Sequence, residues 1–303
     1  MNRGTTVVVM LGLATAMFAR QQTPATTTPA AGQQGAAQNA AAAPPQGKRP
    51  PQAKTQAEFD AYKAAAANAA DPVALEKAAD DFAAKFPDSE LRVLLYRVDM
   101  NGFQNANQAD KMLEVGRKIL AIDPDAPEAL IGVAEVLAER TRDTDLDKQQ
   151  RWDEATKDSQ HALETIDTDL PIPAGTPQDK IDAYKGELRS NAYSILGTIQ
   201  FNQEKYPDAE AYYRKSIDAL PSQPDPIVIL RLALCLDKQN RYGDALKQAD
   251  RAVELTPDNT TAGQLARREH DRLVQLTGGI PTTPSSPAPA SSSPTTTPTP
   301  PKN

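Results

Sequence analysis

The strongest constraint on this 303-residue chain is that it repeats itself. Three segments align on an aromatic residue followed three positions later by alanine: Trp152-Asp153-Glu154-Ala155, Tyr206-Pro207-Asp208-Ala209 and Tyr242-Gly243-Asp244-Ala245. Seven residues after each alanine stands a second small residue, Ala162, Ser216 or Ala252, each followed by an aliphatic one, Leu163, Ile217 or Val253. Seven residues is close to two helical turns, so both small residues share one helical face. Where two helices cross closely at such a face, a large side chain would push the backbones apart at a cost of about 1–3 kcal/mol. The pattern therefore commits the chain to stacked helix pairs, each burying its apolar face against the next.

The surroundings of these segments extend the pattern. Tyr193-Ser194-Ile195-Leu196-Gly197 precedes the second segment and Pro221 closes it, while the third contributes Ile229, Leu232, Ala233, Leu236, Ala245, Ala252 and Pro257. This order of aromatic, Leu-Gly, Ala, aromatic, Ala and Pro resembles the tetratricopeptide-repeat (TPR) family. The resemblance implies an all-α fold: a right-handed α-solenoid of stacked helix-turn-helix units with a C-terminal capping helix. The two units are offset by 36 residues, and the two beyond the usual period fall in the turn at Ser222–Pro226, where an insertion alters only a loop.

The first helix of the second unit is long and is expected to begin near Pro177-Gln178-Asp179, since Pro and an acidic residue both favour a helix start. The Trp152 unit starts at Pro127-Glu128-Ala129-Leu130 and carries about nine extra, strongly charged residues between Glu139 and Gln150, a protruding loop. Two weaker units precede it, ending in Phe82-Ala83-Ala84-Lys85-Phe86-Pro87 and Ile119-Leu120-Ala121-Ile122-Asp123-Pro124, with Leu75 and Met112 where alanine is usual. The first of them reads as a degenerate N-terminal cap. A final amphipathic helix from about Thr260 to Leu276, with Leu265, Leu273 and Leu276 on one side, resembles the helix that closes TPR arrays. Five helix pairs and a cap are expected, with Trp152, Tyr206 and Tyr242 packed in the core beneath the following helix.

Composition divides the chain into four parts. Residues 1–19 have a basic Arg3, an apolar stretch from Val7 to Phe18 and the small-residue pattern Ala14-Thr15-Ala16 with Ala19, the order of a signal peptide. That stretch is about a dozen residues, short of the roughly 18–20 that span a bilayer. The mature chain is thus expected to be exported, periplasmic or secreted, without a membrane span, and with no cysteine near the cleavage point to carry a lipid. Residues 20–56 are an Ala/Gln/Pro-rich spacer and residues 277–303 a Pro/Thr/Ser-rich tail, both expected to be disordered. Residues 57–276 form the solenoid. Six of the 33 basic residues lie in the flanks (Arg3, Arg20, Lys48, Arg49, Lys54 and Lys302), leaving 27 basic against 40 acidic residues and a balance of −13 in the folded region. Such a surface repels phosphate backbones, so no nucleic acid is expected as a partner.

The usual catalytic motifs are missing from the sequence. It contains no G-x-S-x-G, no H-E-x-x-H and no G-x-x-x-x-G-K, so it is not expected to be an enzyme or to hold a cofactor. The two histidines, His161 and His270, lie on separate helices with no second His or Cys at ligand spacing, so no metal is expected. Cys235 sits among Leu232, Leu234 and Leu236 as a small core residue, and the pairs Asp80-Asp81 and Asp153-Glu154 diverge on their helices instead of sharing a proton.

Binding is what remains. In TPR proteins the concave groove is lined by first helices, and the resemblance implies Arg97, Asn101, Glu135, Asn191, Thr198, Asn202 and Arg231 as its residues. Arg97 and Asn101 look like the opening pair of a clamp for a partner's terminal carboxylate. Gly132 and Ile195 stand where that clamp would need Asn and Arg, so a mixed polar groove for an extended strand or a helix fits better. The expected function is a protein-protein interaction scaffold of the cell envelope or exterior, with a protein or peptide partner. Phe86-Pro87-Asp88-Ser89 resembles a phrase in envelope-assembly and Tol-Pal-associated TPR proteins. The alternative is a non-catalytic accessory subunit of a secreted or envelope enzyme complex. A third possibility makes the tail an attachment point for envelope polymers or O-linked sugars.

Overall fold

A computed structural model describes residues 47–278. The expected signal peptide, residues 20–46 of the spacer and the tail beyond residue 278 lie outside the described residues. Among the described residues there are eleven helices and no strand: α1 (Gln56–Ala66), α2 (Pro72–Lys85), α3 (Arg92–Asn105), α4 (Ala109–Ile122), α5 (Pro127–Arg140), α6 (Lys148–Thr165), α7 (Gln178–Asn202), α8 (Tyr206–Ala219), α9 (Pro226–Lys238), α10 (Tyr242–Leu255) and α11 (Thr261–Thr277). They pair consecutively, α1 with α2 through α9 with α10, and α11 follows as the cap of an all-α, TPR-like solenoid. The chain falls into two compact units, one up to Pro224 and one from Asp225 on.

In the first unit, turn chemistry sets the helix starts. Thr55 accepts a hydrogen bond from the Glu58 amide, and Asp71 accepts from Val73 and Ala74 with Pro72 in the first turn. Helix α5 is the pivot of the packing. Ten of its 14 residues are buried, so it is apolar nearly all round, as a helix enclosed on several sides must be. Ala129 and Val136 join a core built from α1 to α4, while Leu130, Val133, Ala134 and Leu137 join a second core with α6 and α7.

The small-residue seam lies where the repeat requires it. Ala155, Ala162, Ala209 and Ser216 are fully buried. Ser216 meets the polar cost of replacing alanine by donating to the Ser190 carbonyl at 2.7 Å. A Cβ added at Gly197 would come within 2.7 Å of the buried Tyr213 ring, which explains the Leu-Gly pair of the repeat.

The second unit repeats this logic on its own. Helix α9 buries Val228, Ile229, Leu230, Leu232, Ala233, Cys235 and Leu236, and α10 buries Ala245, Leu246, Ala249 and Ala252. Helix α11 packs on α10 and is capped at Thr260, whose side chain accepts from the Gly263 amide.

Four expectations are modified. The capping helix buries Gly263, Ala266, Glu269 and Leu273, whereas Leu265 and Leu276 are 38 % and 52 % exposed. The small Gly263 and Ala266 set the side that approaches its neighbour, and the leucines turn outward. Of the three repeat aromatics only Trp152 is buried; Tyr206 and Tyr242 stand half-buried at helix starts, Tyr206 edge-on to Phe201 and Tyr242 donating to Asn240. The charged loop is shorter than expected and runs from Thr141 to Asp147, with Leu146 fully exposed at its tip. Finally, residues 47–55, the end of the segment assigned to a spacer, follow a defined extended path against the first unit, with Ala53 packed on its core.

Candidate functional site

The family pattern implies a face formed by first helices, which in the first unit are α1, α3, α5 and α7, and the last three carry a polar stripe. Glu128 and Glu135 interrupt the apolar surface of α5 seven residues apart, hence on one face. Arg97 of α3 donates through Nη2 to Glu128 Oε2 at 2.7 Å, and Tyr184 of α7 donates to Glu128 Oε1 at 3.1 Å. Gln104 of α3 reaches Glu135 Oε2 at 3.4 Å. One carboxylate thus ties three first helices together. The Arg97 and Glu128 side chains are only 16 % and 17 % exposed, so their attraction is less screened than that of a surface pair. Although Tyr184 is 38 % exposed, desolvation at its hydroxyl first, and the Glu128 charge next, raise the phenol above its ordinary range, which keeps it a donor at neutral pH. Arg97 Nε is buried and has no partner among the described residues, an unspent donor on this face.

The residues expected from sequence occupy this face unequally. Asn101 sits between Arg97 and Gln104 along α3, and Glu135 lies across from them on α5. On α7 the spacing of Tyr184, Asn191, Thr198 and Asn202 continues one side of the helix, with Asn191 and Asn202 exposed and the Thr198 hydroxyl donating to the Ser194 carbonyl at 2.9 Å. Arg231 is half-buried on α9 in the second unit. Glu128, Gln104 and Tyr184 stand outside the set that the family pattern implies. A signal for Glu128 is nevertheless present in the sequence, since two glutamates at heptad spacing in a helix that is apolar between them mark a polar stripe.

The missing carboxylate clamp now has a physical cause. Arg97 is committed to Glu128, and Ile195 is buried in the second core. At Gly132 an added Cβ would come 3.1 Å from Met112 Cε and 3.2 Å from Met100 Sδ. Two methionines thus fill the space that a side chain there would need.

Titratable groups elsewhere are held in local polar contacts. His161 Nε2 lies 2.7 Å from Asp125 and its Nδ1 3.3 Å from Glu164; burial opposes its protonation, yet the two carboxylates prevail and raise its pKa. His270 lies between Asp250 at 3.1 Å and Asp271 at 2.9 Å. Asp80 accepts from Tyr96 and Lys118 whereas Asp81 pairs with Lys77, so the adjacent carboxylates diverge as their helix requires. Among the described residues no group of three or more His, Cys, Asp or Glu is placed to hold a metal ion. No helix there is long and apolar enough to cross a membrane.

The known proteins to which this chain is similar share little sequence with it. The tetratricopeptide-repeat family model matches residues 196–260, from the end of α7 through α10. No curated protein matches the sequence. Among solved structures, a thermophilic TPR protein of Thermus thermophilus is 14 % identical with a TM-score of 0.44, the alignment covering 72 % of this chain and 100 % of that one. PilF of Pseudomonas aeruginosa is 19 % identical with a TM-score of 0.48, covering 75 % and 96 %. PilW, described as a widely conserved type IV pilus biogenesis factor, is 18 % identical with a TM-score of 0.46, covering 74 % and 95 %. Residues 196–260, which hold the buried seam residues Ala209, Ser216, Ala245 and Ala252, thus match the tetratricopeptide-repeat family.

Proposed function

We propose that this chain is a non-catalytic scaffold, exported from the cytoplasm, that binds a polypeptide on the face made by its first helices. The observation that carries the reading is the polar stripe on α3, α5 and α7. There Arg97, Glu128 and Tyr184 lock three helices into a preformed surface while Asn191 and Asn202 stay exposed beside it. A preformed surface spares a partner the cost of ordering it, and exposed amides can pair with the backbone of an extended segment. The charged N-terminus and apolar stretch that resemble a signal peptide support export.

Crosslinking the full chain in intact cells, followed by purification of the captured protein and a binding titration, tests both parts. Asn191→Ala combined with Asn202→Ala should weaken that protein's affinity by about tenfold, the effect of contacts worth roughly 1.4 kcal/mol together. Unchanged affinity would remove the first-helix assignment. Recovery of the chain only from the cytoplasmic fraction would remove export, and turnover by the purified chain that a single substitution abolishes would remove the non-catalytic reading.

A further inference from the structure

The flanks of this chain hold six basic residues and no acidic one, and three of the six, Lys48, Arg49 and Lys54, lie in the extended stretch before α1. All three meet oxygen atoms in or beside the turns that join one helix pair to the next. At the α2–α3 turn, Lys54 Nζ donates to the Asp88 carbonyl at 2.7 Å, and Arg49 Nη2 donates to both Glu90 carboxylate oxygens at 2.8 and 3.0 Å. The Gln52 amide adds a third bond to Glu90 at 3.1 Å. At the α4–α5 turn, Lys48 Nζ pairs with Asp123 at 2.7 Å, and in the α6–α7 loop it lies 4.0 Å from Asp169. Gly47 then lies against the Leu170 carbonyl. Between the cations, Pro50 and Pro51 favour an extended chain at roughly 3 Å per residue, so the seven residues from Lys48 to Lys54 cover about 20 Å. That is the breadth of about two helix steps at 8–10 Å each. The spacing of the basic residues and the spacing of the turns correspond.

Glu90 lies three residues after Pro87 and Asp123 directly before Pro124, and they reach Arg49 and Lys48, respectively, from the turns that hold these prolines. The Arg49 guanidinium, with the Gln52 amide behind it, holds the Glu90 carboxyl below its ordinary range, the direction expected when a carboxylate is matched by its donors.

We infer that the turn edge of the first unit, Glu90, Asp123 and Asp169 with the Asp88 and Leu170 carbonyls, is a second docking track. It is built for an extended Lys/Arg segment containing proline and is occupied in cis by residues 47–54. This surface is separate from the first-helix face and does not depend on it. A tethered segment works at millimolar effective concentration, so individually weak ion pairs suffice to keep the strap seated. A partner of the same chemistry has to displace it, which makes residues 47–54 a gate on the track.

The test uses the full chain. A variant carrying Lys48→Ala, Arg49→Ala and Lys54→Ala is compared with the wild type by hydrogen exchange and by titration with a fluorescent peptide of the sequence of residues 47–55. Amides of residues 52–58 and of the turn at 88–91 should exchange about tenfold faster in the variant. The peptide should bind the variant about tenfold more tightly than the wild type at low salt, in line with loss of the tethered competitor. Binding should fall with added salt and disappear when Glu90→Lys and Asp123→Lys are introduced. Arg49→Glu with Glu90→Arg should restore wild-type exchange and so separate loss of the pair from loss of fold. Unchanged exchange in the triple variant would overturn the inference, because the cations would not be holding the strap. A freed strap with peptide binding no stronger than that of a charge-reversed peptide would overturn it equally. A dimeric wild type that the triple substitution makes monomeric would replace it by strap exchange between two copies.

Discussion

The helix pair α7/α8 and the pair α3/α4 reach the same architecture by opposite packing. In α7/α8 the backbones close on small residues: Ala209 and Ser216 are fully buried, and Gly197 lets the Tyr213 ring lie flat against its helix. In α3/α4 the corresponding alanine is Met112, and the compensation lies one helix further on, where Gly132 of α5 gives way to Met112 and Met100. The pair also joins α2 through a charge network: Lys118 bridges Glu76 and Asp80, Lys111 reaches Glu76, and Tyr96 donates to Asp80. Packing volume is therefore conserved over neighbouring helices and not at each repeat position. A repeat can lose its signature residues and keep its place in the stack.

The largest test of this contrast restores the family's usual residue. Met112→Ala should destabilise the first unit by about 2–5 kcal/mol, because the glycine opposite cannot refill the cavity. Adding Gly132→Ala should recover part of the loss, through cavity filling and the better helix propensity of alanine. Urea unfolding of the single and double variants measures both. If Met112→Ala were neutral, α4 and α5 would be closing the gap, and the two-helix account of volume would fail.

The converse substitution at the small-residue seam should cost less. Ala209→Leu forces a large side chain between helices that already touch, at about 1–3 kcal/mol, and should speed amide exchange in α7 and α8 before more distant helices, since an array transmits strain through nearest neighbours. Melting temperature and site-resolved exchange report the two effects. An unaltered melting temperature would mean that the repeat register assigned to Ala209 is wrong.

Legibility in the sequence follows the same divide. The seam of Ala155, Ala162, Ala209, Ser216, Ala245 and Ala252 is readable because a close approach of two backbones admits few residue types. The start of α7 at Gln178 is readable for a similar reason, since Pro177 restricts the chain there. Helix α11 is legible to within a residue at each end, but its buried side is only partly so, because Leu273 is buried beside Gly263 and Ala266 while Leu265 and Leu276 stay exposed. The groove residues are less legible still. Asn191 and Asn202 are exposed as expected, whereas nothing near Arg97 in sequence announces that Glu128, 31 residues away, will take its charge. Pairings across helix pairs depend on register between elements, which no single helix encodes. The path of residues 47–55 is hidden for the same reason, because its partners are carboxylates and carbonyls more than 30 positions ahead.

The smallest of the three effects concerns a charge buried under the α3/α4 network. Asp99 of α3 is fully buried and neither carboxylate oxygen has a partner among the described residues. Burial first, then the negative charge of Glu76, push its pKa up from 3.8 to about 7; Asp80 adds to this from α2, while Lys111 and Lys118 of α4 pull the other way. The folded chain therefore holds a proton at Asp99 between about pH 4 and 7 that the unfolded chain releases, so stability falls as pH rises across that interval and levels off above it. Asp99→Asn removes the charge but still buries an amide without partners, so it should recover only part of the penalty, about 1 kcal/mol at pH 8, and nothing at pH 4. The difference between the wild-type and variant unfolding free energies, followed from pH 4 to 8, isolates this group from the surface carboxylates that titrate in both. A difference that does not change with pH would show that Asp99 is ionised in the folded chain throughout. The Lys111 and Lys118 ammoniums would then be compensating its charge across a distance at which they make no hydrogen bond to it.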